Sequence, residues 1–518
     1  MNTPSSQYDT RNVHRPDPSR SWPRQVYNIL GNEAAERFSY YGMKGLLAAY
    51  ITSMLLKSGD EATHIVHLFV SVNYFMPLFG AWLADKVCGR YHTILWVSLF
   101  YCLGHGVLAL SDVFPDVQSR SLCLYAGLGL IAFGSGGIKP CVSAFMGDQF
   151  TGPGSRLGNA YAAFYWCINL GSLAAFLLVP WTRDHFGYGW AFGIPGIAMA
   201  LAKFIFWLGR AHYIHLPVER VPGWEKTGFL WLAGIGLFAY SLLTGNWWIT
   251  GGAAALAFAF WVFQSAKKLA AGISADPGAF ASLLFAATPL GSRLSPEARE
   301  NGAGLGRVLS IFALVPVFWA LFDQTGSTWV LQGKQMVEAS ILGYTIDADR
   351  MQSMNPLIVM SLVPLFTLVL YPLAGRLATP LRRMSIGMFL AAASYVIVAQ
   401  LQARIEAGEK LSILWQMVPY VVLTAAEVLI STTGLEFAYT QASKAMKSTI
   451  GSMWLLTVSA GNLFVVLITR VMGDGSDASS VTSLRFMQYA GLTAIVGVIF
   501  SVIAAFYKYR NQEGTDAA

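Results

Sequence analysis

The sequence predicts an all-α polytopic membrane protein, built as two six-helix bundles with two further helices between them, fourteen crossings in all. Three observations predict this. Of the 518 residues, 55% are hydrophobic and only 12% are charged, and mean hydropathy is +0.49; a typical soluble domain carries roughly 25% charged residues. Apolar runs of about 20 residues, the length that crosses a ~30 Å hydrocarbon core, recur along nearly the whole chain. Removing one central pair of runs leaves six on either side.

Taken in order, residues 1–25 are polar and hold no apolar run, so they read as a cytoplasmic tail rather than a cleaved signal. Spans follow at 26–55, 61–86, 92–112, 120–146, 157–181 and 188–214, giving an N-terminal bundle over 26–214. A linker over 215–304 holds the extra pair at 226–244 and 249–270, then a cytoplasmic loop. That loop has turn signals at Asp276-Pro277-Gly278 and Pro289-Leu290-Gly291. It is too short for a nucleotide-hydrolysing domain, which needs on the order of 100 residues. Spans at 305–334, 352–375, 380–402, 412–442, 446–471 and 483–508 form the C-terminal bundle over 305–510, and 511–518 is a second cytoplasmic tail. With both termini cytoplasmic, about 22 of the 35 Lys and Arg fall on the cytoplasmic side, which supports this orientation.

Several classes are excluded. The net charge of +7 is spread over short loops, so it predicts no nucleic-acid surface. The five cysteines lack any CxxC spacing and read as packing residues, not as a disulfide or zinc framework. No GxxxxGK[ST] loop occurs; the nearest stretch, "FGSGGIKP", sets proline after the lysine inside a span, which argues against ATP drive. No HExxH or GxSxG motif suggests an enzyme.

The first span carries four ionisable side chains in "NEAAERFSYYGMK". Glu33, Glu36, Arg37, Tyr40, Tyr41 and Lys44 are spaced three or four apart and form one polar stripe on a helix. Facing lipid is untenable, so the stripe lines the bundle interior or a water-filled cavity, with Arg37 neutralising carboxylates a turn away. An ion cluster that only fixes helix packing is the alternative. Lys139, beside Pro140 and a glycine cluster, is a cation inside the fourth span and asks for an anionic partner. Candidate anions are Asp323, Glu427 and Glu436 in the second bundle. Asn169 and Asn355 add hydrogen-bonding groups, and Tyr74, Trp319 and Trp454 add aromatic walls. His67, in the second span, has the ordinary pKa of a proton carrier if the cavity reaches it.

These residues resemble the proton-coupled oligopeptide transporter family of the major facilitator superfamily. "ExxERFxYYG" is met in full at Glu33 to Gly42, and "GGIKPCVSAFMGDQF" and "FYWCINLGSL" look like two further signatures of that family. The extra pair at 226–270 is similar to one in bacterial members, while "HLFVSVNYFMP" and "EVLISTTGLEFAYTQAS" look like the animal ones. The resemblance implies a symporter of the bacterial inner membrane that imports di- and tripeptides by alternating access, acting as a monomer among membrane lipid, with protons as coupling ion and no other cofactor. It implies proton coupling by Glu33, Glu36, Arg37, His67 and Asp323. Peptide contacts would come from Arg37, Tyr40, Tyr41, Tyr74, Lys139, Asn169, Trp319, Asn355, Glu427, Ser431 and Trp454. Lys44 and Asp323 look like an extracellular gate pair, looser than the arginine and glutamate that relatives often use. Ser443 stands where relatives commonly have proline. A carrier of nitrate or another small organic anion is the alternative on the same fold.

Overall fold

The computed structural model describes residues 22–150, 157–216, 247–272, 278–341, 343–375, 379–441, 447–472 and 481–507, with isolated positions between 218 and 237. Most of the tail 1–25, nearly all of the expected helix 226–244, the tail 511–518 and Ser443 lie outside the described residues.

In chain order the helices are α1 (Arg24–Ser53), α2 (Gly59–Phe75), α3 (Pro77–Leu83), α4 (Arg90–Leu110), α5 (Val117–Asp148), α6 (Leu157–Leu208), α7 (Trp247–Ala270), α8 (Ala279–Phe285) and α9 (Pro296–Phe312). They continue as α10 (Val315–Phe322), α11 (Thr328–Gly333), α12 (Met354–Leu365), α13 (Tyr371–Ala374), α14 (Pro380–Glu406), α15 (Met417–Glu427), α16 (Thr433–Gln441), α17 (Lys447–Met472) and α18 (Ser483–Phe506). Among the described residues, nine helical stretches are long and apolar enough to cross a membrane. α1 is not one of them, because its charges dilute its hydropathy.

The chain forms two compact units. The first comprises residues 1–56 and 76–219, the second 57–75 and 220–518. This departs at one segment from a contiguous bundle over 26–214: α2 groups with the second unit. The expected span 61–86 is interrupted after Phe75, the last residue of α2, and Pro77 opens α3, since proline cannot donate the helical hydrogen bond.

In the first unit, α1 packs along α6 and α4 against α5. Asp116 caps α5 by accepting from the Ser119 amide at 2.7 Å, which holds its carboxyl below the usual carboxylate range. α6 turns back at Gly187, whose φ of 83° suits glycine, so its two legs are the expected spans 157–181 and 188–214. α3 meets α5 backbone to backbone: a Cβ on Gly80 would lie 2.1 Å from the Gly136 carbonyl oxygen.

In the second unit, α2 is tied to α17 by reciprocal serines. Ser71 Oγ donates to the Ser459 carbonyl at 3.0 Å, and Ser459 Oγ to the Ser71 carbonyl at 2.8 Å. Asp60 and Arg485 add an ion pair at 3.5 Å. The loop expected over 271–304 is partly helical. Ser295 accepts from the Ala298 amide at 3.1 Å and Pro296 takes the first helical position, a start signal that moves the helix boundary from 305 back to 296. Absent from the expected elements is a two-stranded hairpin, Ala339–Ile341 against Tyr344–Ile346, that turns through Gly343 at φ 80°.

The Gly80 contact yields a prediction. Gly80→Ala forces two backbones apart and costs about 1–3 kcal/mol of overpacking strain, read as a lower melting temperature in detergent. Gly129→Ala, where nothing lies within 4 Å of the added methyl, does not lower the melting temperature.

Candidate functional site

In the first unit the polar stripe of α1 closes on itself. Arg37 Nε donates to Glu33 Oε1 at 2.6 Å and lies 3.2 Å from Glu36 Oε2. The three side chains are 12%, 1% and 0% exposed for Arg37, Glu33 and Glu36. Two buried carboxylates against one guanidinium leave a charge over, and a lone buried charge is costly. α5 supplies the balance: Lys139 Nζ sits 3.7 Å from the centroid of the Tyr40 ring and within electrostatic range of Glu36 and Glu33. Tyr41 packs edge-on to Tyr40 at 5.3 Å and against Phe176 of α6 at 5.7 Å.

α6 reaches this turn because of Gly171. A Cβ there would lie 2.4 Å from the Ala34 carbonyl oxygen and 3.1 Å from Arg37 Cβ, so only glycine lets the helices meet beside the cluster. Gly171 lies within the "FYWCINLGSL" signature, and it joins the site although it carries no side chain that would mark it there. Asn169, two residues earlier, donates to the Tyr165 carbonyl of its own helix at 2.9 Å. Lys44 lies two turns beyond Arg37 on α1 and is buried.

In the second unit, Asn355 of α12 donates through Nδ2 to Glu427 Oε2 at 2.7 Å and to Thr424 Oγ1 at 3.2 Å. α15 ends at Glu427, and the π-helical turn Val428–Thr432, which contains Ser431, follows at once. Such turns widen a helix locally and are frequent at functional sites. Trp319 of α10 and Trp454 of α17 meet edge-on at 6.2 Å, with Phe312 5.3 Å from Trp454. Tyr74 lies on α2, half-buried, and so belongs with this unit.

His67 and Asp323 are joined through a residue absent from the expected site. Asn462 Nδ2 donates to Asp323 Oδ2 at 2.7 Å, which leaves its Oδ1 to accept from His67 Nδ1 at 2.7 Å. His67 Nε2 faces Ser327 Oγ at 2.8 Å. With imidazole neutral, Ser327 donates to Nε2; with imidazolium, the hydroxyl must turn and accept. The arrangement therefore registers the histidine's charge in the orientation of one hydroxyl. The sequence does hold a signal for Asn462: an asparagine inside an apolar run, two turns from Trp454 on the same helix face.

The model of the POT family matches residues 91–484 of this chain. "Peptide transporter family 1" of Drosophila melanogaster is 36% identical over 401 residues, covering 75% of this chain and 49% of that protein. The chain spans about half the length of the curated relatives it matches. Among solved structures it is similar to an auto-inhibited POT family peptide transporter at 37% identity and TM-score 0.77, covering 95% of this chain and 98% of that one. It is also similar to a proton dependent oligopeptide (POT) family transporter at 38% identity and TM-score 0.69, covering 92% and 100%.

Asn462→Leu is expected to lower the melting temperature, because it removes one buried hydrogen bond from His67 and one from Asp323, about 0.5–1.5 kcal/mol for each. Asp323→Asn combined with Asn462→Leu should cost less than the sum of the single changes, since the two residues share one hydrogen bond. A thermal-shift double-mutant cycle checks both statements.

Proposed function

Because this chain belongs to the POT family, we propose that it is a proton-coupled symporter that imports di- and tripeptides by alternating access. It is an all-α polytopic membrane protein with the major facilitator fold. The observation that carries the reading is a pair of opposite charges prepared in different units. Lys139 stands over Tyr40 beside the ion cluster, and Glu427 is aimed by Asn355. A zwitterionic peptide needs a cation for its carboxylate and an anion for its amino end, and these two side chains are the candidates. Arg37, Tyr40, Tyr41 and Asn169 would add contacts from the first unit, and Tyr74, Trp319, Asn355, Ser431 and Trp454 from the second.

The coupling ion is the proton. Protonating Glu33 or Glu36 removes one of the two negative charges that Arg37 and Lys139 balance, so Lys139 becomes free to meet a substrate carboxylate. In the second unit, protonation of His67 or Asp323 rearranges the Asn462 and Ser327 hydrogen bonds. Asp323, with Lys44, remains the candidate for the external gate that the family resemblance implies. Each proton carried inward adds ~2.3 kcal/mol per 100 mV of membrane potential. The host membrane is the bacterial inner membrane, with both termini cytoplasmic and a single chain as the working unit. The anion-carrier alternative leaves Glu427 and its Asn355 hydrogen bond without a purpose, because an anion has no amine to present.

In liposomes with an acidic exterior and an inside-negative potential, the purified protein is expected to accumulate labelled dialanine above its external concentration. Glu36→Gln should lose that accumulation and keep exchange of labelled for unlabelled peptide. N-acetyl-dialanine should compete roughly tenfold worse or less well still, since it leaves the Glu427 carboxylate desolvated without an amine. Glu427→Gln should narrow the difference; equal competition on the unaltered protein would favour the anion carrier.

A further inference from the structure

Behind the ion cluster, α1 and α4 enclose three polar side chains, Ser39, Tyr101 and His105, that the proposed function leaves without a role. All three are fully buried. Ser39 Oγ lies 2.8 Å from His105 Nε2, and the imidazole stacks on the Tyr101 ring with centroids 5.2 Å apart and planes 18° from parallel. Ser39 follows Glu36 by three residues, which puts both on one face of α1. The Tyr101 hydroxyl has Glu36 and Ser39 as its side-chain hydrogen-bonding neighbours and Arg37 within electrostatic range.

Glu36 has a need that this hydroxyl can meet. Arg37 gives its 2.6 Å hydrogen bond to Glu33, and its closest approach to Glu36 is 3.2 Å, at Oε2. Among the described residues, neither Glu36 oxygen nor the Tyr101 hydroxyl has a hydrogen bond of regular geometry. A buried carboxylate and a buried hydroxyl in reach of each other, both short of partners, bond when a small shift allows it. The helix carrying Tyr101 and His105 is seated for this by two glycines. A Cβ on Gly134 of α5 would lie 2.5 Å from the Tyr101 amide nitrogen, and one on Gly196 of α6 would lie 2.8 Å from His105 Cβ. The charged groups around Glu36 are Glu33 and Arg37 of α1 and Lys139 of α5, and of this set Glu36 and Arg37 face Tyr101. α6 meets His105 with Gly196 and the Phe192 backbone, and among the described residues no carboxylate or cation acts on the imidazole. With no counter-charge, the imidazole serves as a neutral hydrogen-bonding partner of Ser39.

We propose that Tyr101 is the hydroxyl that stabilises the ionised Glu36 carboxylate, and that Ser39 and His105 are the positioning residues that hold it there. When Glu36 is ionised, the Tyr101 hydroxyl donates to it; when Glu36 is protonated, the direction reverses and the acid donates to the hydroxyl. The protonation step of the cluster is then set partly from α4, outside the α1 motif.

The inference rests on the proton-coupled reading, and the assay separates the two. Uptake of labelled dialanine by proteoliposomes is measured against external pH, alongside counterflow without a proton gradient. Removing a donor from a carboxylate favours its protonated form, so Tyr101→Phe should move the half-point of the uptake profile upward by about one pH unit, tenfold in proton concentration, with counterflow retained. His105→Leu should shift it the same way, whereas His105→Gln, whose amide can still meet Ser39, should stay near the unaltered profile. If Tyr101→Phe is not recovered folded, Ser39→Ala carries the same reading. A Tyr101→Phe profile that superimposes on the unaltered one overturns the inference. So does loss of counterflow in that variant, which would mark a packing role. Absence of any proton-driven uptake by the unaltered protein would instead overturn the transport reading.

Discussion

The constraint on which the first unit depends is that α1 buries two carboxylates. Removing one partner of a buried ion pair typically costs about 3–5 kcal/mol, because it leaves a charge without compensation. The surrounding helices are arranged so that this does not happen. Arg37 is shared between Glu33 and Glu36, α5 brings Lys139 over Tyr40, and α6 comes within backbone distance through Gly171. Such a cluster is costly as a structural element alone, since well-packed apolar side chains would hold the helices as well. In the proposed symport its value is to have more than one charge state: a proton arriving at either carboxylate would change what the two cations must balance.

In the second unit, asparagine amides hydrogen-bond the carboxylates. Asn355 lies between Thr424 and Glu427, and Asn462 lies between His67 and Asp323. An amide donates on one side and accepts on the other, so it satisfies a carboxylate without cancelling its charge. Glu427 is thereby oriented by an amide, and His67 and Asp323 are linked through one side chain. The two arrangements differ in what they make possible, charge exchange in one unit and oriented charge in the other.

Irregular backbone marks the places where these groups sit. α2 ends at Phe75, two residues before Pro77, about a turn after the Ser71 contact with α17 and beside Tyr74. The π-helical turn Val428–Thr432 begins at the residue after Glu427. Each break frees a backbone group or adds a residue to a turn, and so re-aims the side chains on either side. The reciprocal serine bonds between α2 and α17 explain why α2 groups with the second unit although it precedes most of the first in the chain.

The sequence by itself determined the class of the protein and the part of the ion cluster that α1 carries, whereas Lys139 joins that cluster through packing and not through the second-bundle carboxylates its sequence context suggested. Runs of about 20 apolar residues admit only spanning helices. The three- and four-residue spacing of Glu33, Glu36, Arg37 and Tyr40 requires one helix face whatever packs against it. Glycine and proline signals are legible too, at Gly187, at Pro77 and at Ser295-Pro296, although the last sits in a stretch whose neighbouring turn signals read as loop. What only the tertiary structure decided were the partners drawn from distant parts of the chain. Asn462 with His67 and Asp323, Thr424 with Asn355, Ser39 with His105, and the grouping of α2 all depend on which helices lie side by side. Local periodicity fixes which way a side chain faces on its own helix; it carries no information about the helix across from it, and a hydrogen bond needs both.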